Sequence, residues 1–336
     1  MASPSPVRIF ETLRAFQETA ALNSAIELGI FTAIAEGAGT AAGTAAEIAA
    51  KCGASERGVR ILCDSLTASG LLEKTGGRYG NTQDTGIFLN RHSPAYLGGI
   101  TEFLCDPKMF QLTLAGLTET VRKGGTLLPG EGNVSPENPV WVTFARAMAK
   151  IMTPPARAMA ELLPAEGPLT VLDIAASHGT FGITVAQRNP EARITALDWA
   201  AVLEVAKENA ARAGVADRLT LLTGDFFTTD LGADYDAILV TNFIHHFDKP
   251  ASEGILRKIH NALKPGGVAL ILEFVPDEDR VSPPSQAHFA LTMLLTTARG
   301  DAYTWLEYQE MLEHAGFASN EIRQLESQQS IITAKK

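Results

Sequence analysis

Two aspartates, Asp173 and Asp198, stand 25 positions apart (198 − 173), and each falls in or closes a short apolar run. Residues 169–199 read LTVLDIAASHGTFGITVAQRNPEARITALDW. Val171, Leu172 and Ile174 flank the first acid, a turn of small residues follows, a helical segment opens at Gly179, and the apolar run 194–197 leads to the second. That is a strand, turn, helix and strand of the nucleotide-binding βαβ kind, in which a carboxylate roughly 20 residues on meets a ribose hydroxyl. A pyrophosphate-binding turn needs glycines so that the backbone can approach the phosphates. Here those places hold Ala175, Ala176, Ser177 and His178, only Gly179 remains, and the chain has no G-x-x-x-x-G-K-[ST]. The turn therefore suits a cofactor without phosphate, and S-adenosylmethionine is the obvious one, its cationic sulfonium and ammonium being attracted by carboxylates in a partly dry site. An ordinary βα turn in a doubly wound domain is the alternative reading of this segment alone.

Such a unit must sit in a larger sheet. At 336 residues, 46% of them apolar and 20% charged, the chain is long enough for two domains with sizeable cores. The formal net charge of −10 argues against a nucleic-acid partner, which asks for a basic face. Cys52, Cys63 and Cys105 have no metal-ligand spacing and form no even disulfide set, as expected for core residues of a reduced protein. The first residues carry no signal core, and no uncharged run approaches the roughly 18 residues of a membrane span. A cytoplasmic protein with no membrane partner is expected.

Residues 7–98 read as short helices and a hairpin. Leu22, Ile26 and Ile30 form one helical stripe. A helix with Ile48 ends at Gly53, Ser55 caps another bearing Val59, Leu62 and Leu66, and Gly76-Gly77 turns a hairpin. This winged-helix pattern invites a DNA-binding reading. Residues 1–100, however, hold eight Lys/Arg against nine Asp/Glu, so the electrostatic footprint is missing. An apolar stripe suits subunit pairing better, and a homodimer is expected. From 100 to 160 the chain is mostly helical, with Trp141, Phe144, Met148 and Met152 near helical spacing, as core or as the roof of a ligand pocket. Residues 165–336 alternate strands and helices, with strands expected at 219–225, 235–247 and 268–275 and a final strand or hairpin at the end.

Five segments taken in order resemble the two-domain S-adenosylmethionine-dependent O-methyltransferases of the caffeate and acetylserotonin type: LDIAASHG, ALDW, GDFF, NFIHHFD and LKPGG. The resemblance covers nearly the whole chain. It implies an α/β fold: a class I methyltransferase, Rossmann-like doubly wound sheet at 165–336, a winged-helix dimerisation domain at 1–100, and a helical linker at 101–164 that contributes to the substrate pocket. It also implies a small aromatic substrate, no metal, and an active site at the C-terminal ends of the strands.

Carried over residue by residue, Asp198 takes the ribose hydroxyls, with Trp199 beside it. Asp225 takes the adenine amino group, with Gly224 and Phe226 at the ring. Ala175, Ser177 and Gly179 face the methionyl part, Asp173 braces that loop or reaches the amino group through water, and Asn242 completes the cofactor set. His245 matches the general base, which takes the proton of a hydroxyl that is barely ionised at neutral pH. His246 is expected on the opposite side of the chain if strand geometry persists, and hence to be structural. The acid that usually supports the base aligns with Ala302, leaving Asp301 or Asp248 as candidates. Phe103, Met109, Phe144 and Met148 are expected to line the substrate pocket, together with His288, Phe289 and Met293 of the segment 282–297. His178 is expected to be structural. Two rival readings stay open here: N- or C-methylation on the same fold without a histidine base, and a winged-helix regulator that senses a metabolite.

Overall fold

The computed structural model describes residues 4–37, 42–135 and 138–336. The chain divides into two compact units, with the break between Cys105 and Asp106.

The first unit opens with α1 (Val7–Leu28), which ends on Gly29 in the left-handed conformation at φ 74°. Helix α2 (Ala45–Cys52) begins in a reciprocal Thr44–Glu47 capping box and stops at left-handed Gly53. The Ser55 side chain accepts from the Gly58 N–H and starts α3 (Glu56–Ala68). Strand β1 (Ala42–Gly43) lies beside the hairpin of β2 (Leu72–Thr75) and β3 (Arg78–Asn81), in the order β1-β3-β2. Gly76 and Gly77 both take positive φ, as a two-residue turn that matches strand twist requires. Ile26, Ile30, Phe31, Ile48, Val59 and Leu66 close the core of this helix, helix and wing arrangement. The N-terminal half of α1 stays outside that core: Ile9 is 63%, Phe10 54% and Leu13 64% exposed.

The second unit is built on a seven-stranded sheet. Its strands are β4 (Leu169–Ile174), β5 (Ala192–Asp198), β6 (Leu219–Thr223), β7 (Tyr235–Thr241), β8 (Leu263–Glu273), β9 (Ser319–Gln324) and β10 (Ser330–Lys335). They lie in the order β6-β5-β4-β7-β8-β10-β9, the first five parallel and β10 antiparallel to both neighbours. The central strands β4, β7 and β8 are apolar on both faces, as a sheet covered on both sides requires. Leu172, Ile174, Ile238, Val240 and Ile271 pack against α7 (Lys249–Ala262) and α9 (Trp305–Ala315). Val171, Leu239 and Leu270 point the other way, toward α5 (Thr180–Arg188) and Met159. The order reverses between β4 and β7, and the crevice at such a switch point is where doubly wound sheets bind ligands.

Further helices of this unit include α4 (Val140–Met148), α6 (Ala200–Arg212) and α8 (Pro284–Thr296). The segment before α4 is pinned to the end of α8, the Thr126 and Asn133 N–H groups donating to the Thr297 and Thr296 carbonyls. Among the described residues no helix is long and apolar enough to cross a membrane.

Candidate active site

Five adjacent parallel strands each deliver an acid or a base to the same edge of the sheet. Asp173 lies near the end of β4, Asp198 ends β5, Asp225 follows β6, His245 follows β7 and Glu273 ends β8. The alternation of a strand fixes which face each side chain joins. Asp173 shares the Val171 face, so its Oδ2 accepts the Gly182 N–H of α5 at 3.0 Å. Position 182 must be small for this: a Cβ there would lie 3.0 Å from Asp173 Oδ2 and 2.6 Å from Ile194. Asp173 Oδ1 is buried without a partner. Burial pushes the Asp173 carboxyl up to about 8, only partly offset by the Gly182 bond, and the nearby Asp198 adds to the rise. Asp198 accepts the Ser177 N–H at 2.8 Å and the Trp199 N–H at 2.7 Å, and burial raises it to about 6 despite both bonds. Among the described residues neither acid pairs with Lys or Arg. A buried carboxylate with an orphaned oxygen and a half-buried one near it, neither with a cation, are what a cationic ligand would satisfy.

The turn between β4 and α5 keeps a glycine backbone without the glycines. Ala175, Ser177 and Gly179 have φ of 51°, 52° and 71°, all left-handed. The two Cβ atoms thus occupy a conformation that L-residues adopt at a cost of roughly 1–2 kcal/mol each. His178 accepts the Thr180 N–H on Nδ1, its carbonyl accepts Asn209, and burial holds its imidazole down to about 4. It is a neutral loop brace.

At the end of β6 the Gly224 N–H donates to the Asp198 carbonyl, and Asp225 Oδ1 accepts the Phe227 N–H at 2.9 Å, leaving Oδ2 for another donor. Phe226 is buried, edge-on to Phe243 at 5.3 Å. Trp199 packs with Trp141 and Val142 around Ala145, Val202 and Val205. Asn242, left-handed at φ 54°, spends its amide on Gln329 and on the Met152 sulfur.

His245 is held more firmly than its sequence context suggested. Glu273 Oε1 accepts the N–H groups of Phe243 and Ile244 at 3.0 and 2.9 Å, and its Oε2 sits on His245 Nδ1. Both side chains are buried. Neither acid proposed from the sequence fills this place. Asp248 caps α7 and pairs with Arg299 at 3.1 Å; Asp301 pairs with Arg280, and only its N–H reaches the His245 carbonyl. The signal for Glu273 was in the chain: an acid closing a buried apolar strand at the active edge, the same mark that singled out Asp198.

His246 corrects a second expectation. Residues 244–246 form a turn of 3-10 helix, so strand alternation is lost. The His246 ring lies 4.3 Å from that of His245 and 5.4 Å from Trp141, with Nδ1 buried and unpartnered. Burial and the neighbouring His245 keep it well below the usual imidazole range, hence neutral.

An aromatic wall surrounds the pair. Phe289 meets the His245 ring edge-on at 4.8 Å and stacks on Phe274 at 4.0 Å, while Phe144 meets Trp141 at 5.6 Å. Trp141 was read from the sequence as core or as the roof of a pocket; Phe274 was not among the residues expected there. Met293 is buried, Met148 packs against the core beside α5, Met109 is half-buried and His288 is exposed. Phe103 belongs to the first unit.

Comparison with known proteins gives two family matches: residues 135–318 match the O-methyltransferase domain, and residues 10–91 the O-methyltransferase dimerisation domain. The 3-hydroxy-5-methyl-1-naphthoate 3-O-methyltransferase of Streptomyces sahachiroi is 30% identical over 317 residues, 93% of this chain and 89% of that protein. A crystal structure from Nostoc punctiforme PCC 73102 superposes with a TM-score of 0.95 at 47% identity, covering 99% of this chain and all of that one. Human N-acetylserotonin methyltransferase, solved in complex with S-adenosylmethionine, shares the fold at TM-score 0.85 and 23% identity, with 100% and 99% of the two chains covered.

Proposed function

Because this chain belongs to the O-methyltransferase family, we propose that it methylates a hydroxyl of a small aromatic molecule, with S-adenosylmethionine as cofactor and His245 as general base. The observation that carries the reading is the buried Glu273–His245 pair set against an aromatic wall at the active edge of the sheet.

The residues present fit the cofactor. When bound, it supplies an electrophilic methyl group on a sulfonium. Asp173, buried, and Asp198, half-buried, are carboxylates with no cation, placed to meet its ammonium and ribose, and Asp225 keeps one oxygen free for the adenine amino group. The left-handed backbone at 175, 177 and 179 keeps that approach open although two of the glycines are gone.

The catalytic chemistry follows from the tautomer of His245. A carboxylate only accepts, so Nδ1 carries the proton that faces Glu273, and Nε2 keeps its lone pair. Nε2 takes the proton of the acceptor hydroxyl as its oxygen attacks, and Glu273 stabilises the imidazolium that forms. Three backbone N–H groups, of Phe243, Ile244 and His245, hold the carboxylate, so the base does not swing away. Phe289, Phe274, Trp141 and Phe144 give flat apolar surfaces for an aromatic ring. The naphthoate ring of the Streptomyces sahachiroi relative is a substrate of that shape.

The match over 10–91 supports a homodimer, and the exposed apolar residues of α1 are the surface that pairing would cover. Three unpaired cysteines suit a reducing compartment, and the cytoplasm is the location proposed.

The test is transfer of labelled methyl from S-adenosylmethionine to a panel of phenols and hydroxynaphthoates. O-methylated product from the wild-type chain, falling about 10²- to 10⁴-fold in His245→Ala, supports the proposal. Product methylated at nitrogen or carbon, or no loss in the variant, would overturn it.

A further inference from the structure

The loop that leaves β6 is held by a residue far from it in sequence. Asp225 starts the loop, its carbonyl accepting the Thr228 and Thr229 N–H groups at 3.2 and 2.8 Å. The winding is tight: a Cβ at Gly224 would fall 2.1 Å from Thr229 Oγ1. The Phe227, Thr228 and Thr229 N–H groups are satisfied inside the loop, and three of its carbonyls turn to one ammonium. Lys258 Nζ lies 2.5 Å from the Phe226 carbonyl, 2.8 Å from that of Thr229 and 3.4 Å from that of Phe227. An ammonium has three N–H donors, and all three are spent here. The same group sits 4.9 Å from the centre of the Phe226 ring, a cation–π contact.

Lys258 is half-buried, and among the described residues no carboxylate pairs with it. A surface lysine is ordinarily free to move, and immobilising one costs side-chain entropy. Here that cost serves a single short loop whose job, on the cofactor reading above, is to aim Asp225 Oδ2 and the Phe226 ring at adenine. Lys258 also lies on α7, the helix that Asp248 caps directly after His245-His246. The adenine loop is therefore referenced to the same rigid element as the catalytic turn.

We propose that Lys258 is a positioning residue for cofactor binding, setting the adenine loop through its three carbonyls. It touches no reacting atom. Its loss should fall on the affinity for the cofactor rather than on the rate of methyl transfer, because His245 and Glu273 are held independently of it. This inference rests on the assignment of the 225–226 loop to adenine.

Calorimetric titration with S-adenosylhomocysteine and steady-state kinetics on Lys258→Met and Lys258→Arg, each checked for folding by circular dichroism, test it. Met keeps the apolar stem and removes the donors; Lys258→Gln replaces it if Met fails to fold. The expected result is a Kd about tenfold weaker in the neutral variant, a matching rise in KM for the cofactor, little change in kcat, and recovery by Arg. Unchanged Kd in the neutral variant, or a fall confined to kcat, overturns the proposal while leaving the cofactor reading intact. Failure of the folded wild-type chain to bind S-adenosylhomocysteine overturns the cofactor reading, and this proposal with it.

Discussion

The carboxylate of Glu273 sits on Nδ1 of His245, 28 residues back along the chain, and so leaves Nε2 as the nitrogen that takes the proton in the mechanism proposed above. The arrangement needs two adjacent strand ends: β7 runs out into the 244–246 turn, while Glu273 closes β8 beside it. Glu273→Gln keeps an acceptor for the Phe243 and Ile244 N–H groups but presents no charge to the imidazolium. Its kcat should fall by about 10²-fold or more, with the affinity for S-adenosylhomocysteine unchanged. The double variant with His245→Ala should be no slower than His245→Ala alone, since the two residues act as one unit. Additive losses in that cycle would mean that Glu273 works by some route other than His245.

Cofactor affinity should depend on pH with a definite sign. In the ligand-free protein burial raises Asp173 to about 8 and Asp198 to about 6, both above the ordinary carboxylate value. Over the range from about 4 to 8 the folded state thus holds more protons than the unfolded one, and the ligand-free protein loses stability as pH rises. A cationic ligand favours the ionised carboxylates, so binding releases protons below pH 8. S-adenosylmethionine should bind more tightly as pH rises from 5.5 toward 8, and the melting-temperature increase it causes should grow over the same interval. Calorimetry in buffers of different ionisation enthalpy reads the protons directly. Proton uptake, or affinity that rises toward acid, would contradict the assignment of these carboxylates to the cofactor.

Ser177 carries two local costs, a left-handed backbone and a buried hydroxyl without a partner. Ser177→Gly removes both and keeps the N–H that reaches Asp198. Set against the greater chain entropy that glycine loses on folding, the net gain should be about 1–2 kcal/mol in denaturant unfolding. Ser177→Ala removes only the orphan hydroxyl and should gain less. Equal stability of the Gly variant and the parent would show that the turn is not strained at this position.

Much of the fold was legible because its signals are local. The Gly53 stop and Ser55 start of the helix pair, the Gly76-Gly77 hairpin and the apolar runs ending in Asp173 and Asp198 were each read from a few consecutive residues. What escaped depends on the partners that strands bring together. Glu273 meets His245 only because β8 pairs with β7, a relation that spacing along the chain does not reveal. His246 was assigned to the far side by extending strand alternation past Thr241, where the backbone instead tightens into a helical turn. The first motif lacks two of its glycines, and the left-handed φ at Ala175 and Ser177 shows that the backbone shape is kept at an energetic cost, which residue types alone do not reveal.

The segment after α8 presses on the catalytic turn at one glycine. A Cβ built on Gly300 would lie 2.3 Å from the His245 carbonyl oxygen, 2.6 Å from Thr297 Oγ1 and 2.9 Å from the His246 carbonyl carbon. Two of these are backbone atoms of the residues that carry the imidazoles, and they cannot yield as a side-chain tip would. The neighbouring Asp301 N–H is bonded to the same His245 carbonyl at 3.0 Å, so displacing that oxygen also breaks the contact that fixes the turn from this side. Gly300→Ala should therefore shift His245 against its substrate by a few tenths of an ångström or more. Asp173 and Asp198, on β4 and β5, are held by other bonds and should not move. The expected result is a kcat lower by about 10- to 10²-fold with an unaltered Kd for S-adenosylhomocysteine, since misplacement of a reacting group costs rate rather than cofactor affinity. If instead kcat stays at the parental value in a folded variant, the 299–303 segment does not position the base, and the close approach at Gly300 serves packing alone.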